Sequence, residues 1–116
     1  MMNRFFKKLT PSFIINTKRF KTSQPINNGK YIFYKALLNN NVDTVFGFSG
    51  GSVMPLIDAF YNNNKIKLIV NSNEQCLGLS ACGYSKTSNK VGVGVVTSGP
   101  GITNLITPIL DATNDS

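Results

Sequence analysis

Histidine and tryptophan are absent from this 116-residue chain, and glutamate occurs once, as Glu74. Without histidine there is no Ser-His-Asp or Cys-His nucleophile, no His-ligated metal site and no histidine general base. Cysteine is scarce too: Cys76 and Cys82 do not form a Cys-x-x-Cys pair. They supply neither a four-cysteine zinc site nor a disulfide scaffold, and read as small core residues. No metal ligands are expected. Long apolar runs are also missing. Near the N-terminus the longest is Phe13-Ile14-Ile15, far short of the ~18 residues of a membrane span, so neither a stable membrane anchor nor a secretory signal is expected.

Acid is the other scarcity: 12 Lys and Arg face 5 Asp and Glu, for a net charge of +7. Residues 1–27 hold Arg4, Lys7, Lys8, Lys18, Arg19 and Lys21 without a single acid, whereas from residue 28 onward Lys30, Lys35, Lys65, Lys67, Lys86 and Lys90 nearly balance the five acids. The excess therefore sits in the leader. A nucleic-acid surface needs basic side chains clustered on a folded face, and the near-neutral body offers none, so no nucleic-acid partner is expected.

The leader is basic, acid-free and rich in hydroxyls (Thr10, Ser12, Thr17, Thr22, Ser23), the composition of an organelle transit peptide. At helical spacing Met2, Phe5, Phe6 and Leu9 form an apolar stripe opposite Arg4, Lys7 and Lys8, and Pro11 ends the helix. Arg19-Phe20-Lys21 resembles a matrix-processing site. Residues 1–27 are thus expected to be a mitochondrial transit peptide and linker, disordered or helical, with a disordered basic tail or an interfacial anchor as the alternative.

From residue 28 helical and strand patterns alternate. Asn28 is placed to cap a helix through Asn39, with Tyr31, Tyr34, Leu37 and Leu38 on its apolar side. Thr44 to Phe48 reads as a strand. Ser52 is expected to cap a second helix, with Pro55 in its first turn and Leu56, Ala59 and Phe60 facing inward. Lys67 to Asn71 reads as a strand, Glu74 to Thr87 as a helix, Val91 to Thr97 as a strand and Ile102 to Asn114 as a helix. Within that last helix Pro108 removes an N–H and crowds the carbonyl of Asn104, at about 3 kcal/mol unless the helix kinks. Strands joined by helices imply an α/β fold, a doubly wound parallel sheet of three strands with flanking helices.

Ligands of such sheets lie beyond the carboxyl ends of the strands. Those ends are Ser49-Gly50-Gly51, Asn73-Glu74 and Ser98-Gly99-Pro100-Gly101. The glycine turns either cradle a phosphate or merely turn a corner, and neither fits a nucleotide fingerprint. Glu74, at a helix start directly after an apolar strand, is either a routine helix-terminus acid or, in a closed apolar site, a carboxyl suited to share a proton with a ligand.

Val45-Phe46-Gly47-Phe48-Ser49-Gly50-Gly51-Ser52, Asn73-Glu74-Gln75, Val91-Gly92-Val93, Thr97-Ser98-Gly99-Pro100-Gly101-Ile102-Thr103-Asn104-Leu105 and Asp111-Ala112 follow one another in order. This set resembles the start of the catalytic subunit of acetolactate synthases, and leans toward them over other thiamine-diphosphate enzymes such as 2-hydroxyacyl-CoA lyases or pyruvate decarboxylases. The resemblance implies thiamine diphosphate as cofactor, condensation of two pyruvates to 2-acetolactate plus CO2 in branched-chain amino acid biosynthesis, and Glu74 as the catalytic carboxyl. In the family this glutamate hydrogen-bonds a ring nitrogen of the cofactor's aminopyrimidine and favours its imino tautomer. Gly51 corresponds to the cofactor-side glycine beside the reacting centre, and Phe48, Ser49 and Gly50 line the same substrate-proximal turn. Departures are Asn73 where the family has His, Cys76-Leu77-Gly78 where it has Gly-Ala-Ala, and Phe48-Ser49 where it has Tyr-Pro.

Family members are several-fold longer and hold diphosphate and Mg2+ through a Gly-Asp-Gly motif, which this sequence lacks. Residues 28–116 are therefore expected to be a partial pyrimidine-binding domain of a truncated transferase, inactive alone. Its expected partner is a full-length synthase subunit, in a homo- or hetero-oligomer, with a purely docking role as the alternative.

Overall fold

The computed structural model describes residues 28–61 and 63–115. The leader, with its expected import helix, lies outside them. Eight elements follow in order: α1 (Gly29–Asn39), β1 (Thr44–Gly47), α2 (Met54–Tyr61), β2 (Lys67–Val70), α3 (Glu74–Ser88), β3 (Val93–Val95), α4 (Pro100–Thr103) and α5 (Ile106–Asn114). The three strands form one parallel sheet in the order β2-β1-β3. Thr44 pairs with Lys67 on one side of β1, and Val45 with Val93 on the other.

That order dictates which face each helix covers. From β1 the chain steps to β2 on one side, then crosses back over β1 to reach β3 on the other. Crossovers of one hand running in opposite directions must use opposite faces of the sheet. Two separate cores result. Val45, Val95 and Leu68 pack with Tyr34, Phe60 and Val53 under α1 and α2. Phe46 and Ile69 pack with Leu77, Ala81 and Tyr84 of α3, joined by Leu105. Neighbouring residues of each strand face opposite cores, as the two-residue period of a strand requires. The fold is therefore α/β and doubly wound, with helices on both faces of an open three-stranded sheet.

Local chemistry explains most boundaries. The Asn28 side chain accepts from the Lys30 N–H and the Asn73 side chain from the Cys76 N–H, so both long helices start on an asparagine cap. Asn89 ends α3 in the left-handed region, at φ 54°. At the opposite end of the sheet from the glycine turns, Asp43 accepts from the Tyr84 hydroxyl at 2.5 Å and from the Lys90 ammonium. The start of β1 is thereby tied to the C-terminal part of α3.

Four local expectations are corrected. Tyr31 is exposed, with the Lys35 ammonium 5.4 Å over its ring, and Phe33 instead meets Phe60 edge-on. Ser52 does not cap α2: the Val53 and Met54 N–H groups bond to the Gly50 carbonyl, while the Ser52 hydroxyl turns to Thr97. Cys76 is exposed and Cys82 half-buried, so only the latter takes part in packing. The last helix is not continuous. It divides into α4 and α5 at Asn104-Leu105, which puts Pro108 in the first turn of α5, where a missing N–H costs nothing because first-turn donors have no intrahelical partner.

Candidate functional site

In an open α/β sheet the crevice opens where neighbouring strands send their chains to opposite faces. Here that point lies between β1 and β3. After β1 the chain enters α2 on one face. After β3 it passes through α4 into α5, which packs on α3 on the other.

Thr97 joins the two turns flanking the crevice. Its hydroxyl hydrogen-bonds the Ser52 hydroxyl at 2.8 Å, and Ser52 Oγ also accepts from the Ser98 N–H at 3.5 Å. Gly50 lies directly on Thr97: a Cβ added there would come within 2.5 Å of the Thr97 Cβ. Gly51, one residue on, is exposed, and a Cβ there would meet nothing within 4 Å. Phe48 is half-buried in the α3-side core, with its N–H bonded to the Val95 carbonyl at 3.2 Å, whereas Ser49 is exposed.

Glu74 opens α3 and is buried, at 8% exposure. Burying a carboxylate is costly unless its oxygens find partners. One oxygen accepts from the Asn104 side-chain amide at 3.0 Å. The other lies 3.5 Å from the place a Cβ would occupy on Gly101, so the bare backbone of the Gly-Pro-Gly turn borders it. The same Gly101 position is 2.9 Å from Thr97 Cγ2. The three strand-end motifs are thus neighbours: a Cβ on Gly50 would clash with Thr97, and one on Gly101 would clash with Thr97 and lie 3.5 Å from Glu74.

Two residues of this constellation had no role in the sequence reading: Thr97, which links the turns, and Asn104, which holds Glu74. The signal for Thr97 is its place at the end of β3, facing a glycine turn. Nothing local marks Asn104, because its position depends on the break between α4 and α5. A groove of about 630 Å³ bounded by Met54, Phe60, Tyr61 and Leu68 lies along the β2 edge, and no residue of the rim lines it. Among the described residues no three His, Cys, Asp or Glu side chains gather to hold a metal ion, and no helix is long and apolar enough to cross a membrane.

The family of thiamine pyrophosphate enzymes, N-terminal TPP binding domain, matches residues 27–116. The chain belongs to this family. Its relatives include the mitochondrial acetolactate synthase catalytic subunit of Saccharomyces cerevisiae, 46% identical over 87 residues, which is 75% of this chain and 13% of that protein. The acetolactate synthase large subunit of Corynebacterium glutamicum is 39% identical over 107 residues, 92% of this chain and 17% of that one. The isozyme 2 large subunit of Escherichia coli is 43% identical over 89 residues, 77% and 16% respectively. The chain therefore spans less than a fifth of the length of these relatives. Membership of the family implies thiamine diphosphate as the cofactor, and the donor set agrees: a buried carboxyl with one oxygen engaged and the other beside bare glycine backbone fits a nitrogen heterocycle that exchanges a proton.

Proposed function

We propose that residues 28–116 form the pyrimidine-binding wall of a thiamine-diphosphate carboligase of the acetolactate synthase type. The observation that carries this reading is the buried Glu74 carboxyl at the strand-end rim, with one oxygen beside the space a side chain on Gly101 of the Gly-Pro-Gly turn would fill. When bound, the cofactor supplies a nucleophilic carbon for condensation of two pyruvates to 2-acetolactate with loss of CO2. Glu74 is the catalytic carboxyl: it holds or releases a proton at the oxygen not taken by Asn104, and burial keeps water from competing for that proton. Gly51 borders cofactor and substrate, and its lack of contacts within the chain leaves that space free. Phe48, Ser49 and Gly50 form the substrate-proximal turn, fastened in place by Thr97.

In this proposal the groups that hold diphosphate and Mg2+ lie outside residues 28–116, on a synthase subunit with which these residues assemble, and the 116 residues by themselves do not turn over pyruvate. The leader directs the chain to mitochondria, a reading supported by its composition and by the mitochondrial location in the names of fungal relatives. Two measurements test the proposal. Pull-down with a full-length synthase, followed by an acetolactate assay, is expected to show an association that Glu74→Gln preserves while it abolishes any activity the chain confers. Pyruvate-dependent acetolactate production by the purified chain alone would overturn the division of labour.

A further inference from the structure

We infer that Asn104 is the positioning residue of Glu74: it fixes which carboxyl oxygen faces the ligand, and so sets the affinity of this wall for an aminopyrimidine. This inference rests on the proposed role of Glu74. Its physical basis is an asymmetry. An amide nitrogen donates only, so the oxygen bonded to the Asn104 amide at 3.0 Å must remain an acceptor. A ligand proton therefore meets most directly the other oxygen, the one beside Gly101, which no side chain among the described residues engages.

The burial pattern has the same sense. Glu74 is buried and Asn104 exposed, so the amide closes the solvent side of the carboxyl while the rim side stays bordered by glycine backbone. Asn104 reaches this place because it falls in the break between α4 and α5. The next helix is anchored by Pro108, which is fully buried on α3 at Gly78. Nothing else within the described hydrogen bonds holds the Glu74 side chain.

The chain offers an unusual reporter for this arrangement, because Glu74 is its sole glutamate. Glutamate labelled with 13C at the side-chain carboxyl gives a single protein signal. In the full 116-residue chain, Asn104→Leu and Asn104→Asp each remove the donor at an exposed position, so the fold is not at risk. Both are expected to displace the Glu74 signal while the backbone amide pattern away from α4 and α5 stays as in the parent chain. Affinity for 4-amino-2-methylpyrimidine, followed by NMR titration, should fall about tenfold in both variants, the worth of one hydrogen bond to a charged group.

An unmoved carboxyl signal in either variant overturns the positioning role, whatever the probe does. A displaced signal with unchanged probe affinity overturns its bearing on ligand binding. Failure of the parent chain to bind the probe, or equal binding by Glu74→Gln, counts instead against the proposed pyrimidine site, and the carboxyl signal still reports on Asn104 independently.

Discussion

Gly50 and Gly51 are chemically identical neighbours with opposite reasons for having no side chain. At Gly50 the reason lies inside the chain, since a Cβ would sit 2.5 Å from Thr97 Cβ and 2.8 Å from its hydroxyl. Gly50→Ala is expected to lower stability by about 1–3 kcal/mol, the usual cost of overpacking, measured by denaturant unfolding. At Gly51 the chain itself exerts no such demand. Gly51→Ala should leave stability within about 0.5 kcal/mol of the parent, yet slow turnover in a complemented synthase, where the added methyl meets substrate. Equal destabilisation by both changes would remove the distinction. Asp43 provides a separate residue-scale test. The Lys90 hydrogen bond first, then the Tyr84 and Thr44 hydroxyls, lower its carboxyl to about 2, from about 3.9 in an unfolded chain. A group depressed in the folded state adds stability that is present above the unfolded value and lost as pH falls through the folded one. Thermal midpoints of the parent chain and Asp43→Asn are therefore expected to differ above about pH 4 and to converge on acidification toward pH 2.

Among the elements, the split between α4 and α5 has the widest consequences. A run from Ile102 to Asn114 has helical periodicity throughout, and only Pro108 argues against it. The chain resolves the conflict by breaking at Asn104-Leu105, which gives Pro108 a first-turn position and frees it to pack on Gly78, where any side chain would lie 2.6 Å from the proline ring. Pro108→Ala removes both the reason for the break and part of a fully buried contact. It should raise far-UV helicity, lower stability by about 1–2 kcal/mol, and displace the Glu74 carboxyl signal by carrying Asn104 off its partner. An unchanged signal would show that the break persists without proline. Helices α1 and α3 form without such a break, each starting on an asparagine cap, although in α1 Phe33 rather than Tyr31 meets the core.

At the scale of the whole molecule, the sheet has β2 and β3 as its edges among the described residues. Val70, which ends β2, and Val91, two residues before β3, are each 69% exposed. Unpaired strand edges with exposed β-branched residues favour association. The purified chain is accordingly expected to self-associate with rising concentration, seen by light scattering, and to do so less with a charged residue at Val91, as in Val91→Lys. The leader belongs to this scale as well: a fluorescent protein fused to residues 1–30 should enter mitochondria, and diffuse cytosolic signal would refute the import reading.

Periodicity, the capping Asn28 and glycine turns are local properties, carried by residues a few positions apart, and they made the α/β class, the parallel sheet and the meeting of three motifs at one rim readable from sequence. Glu74 stood out for the same reason, as a lone acid placed directly after an apolar strand. What required the tertiary structure was every relation between distant segments: the exposure of Tyr31, the transfer of Ser52 from helix cap to Thr97 partner, the division of the last helix, and the grip of Asn104 on Glu74. Each of these goes with a contact between segments 27 or more residues apart, Phe33 with Phe60, Ser52 with Thr97, Gly78 with Pro108 and Glu74 with Asn104, and such contacts are decided only when the chain closes on itself.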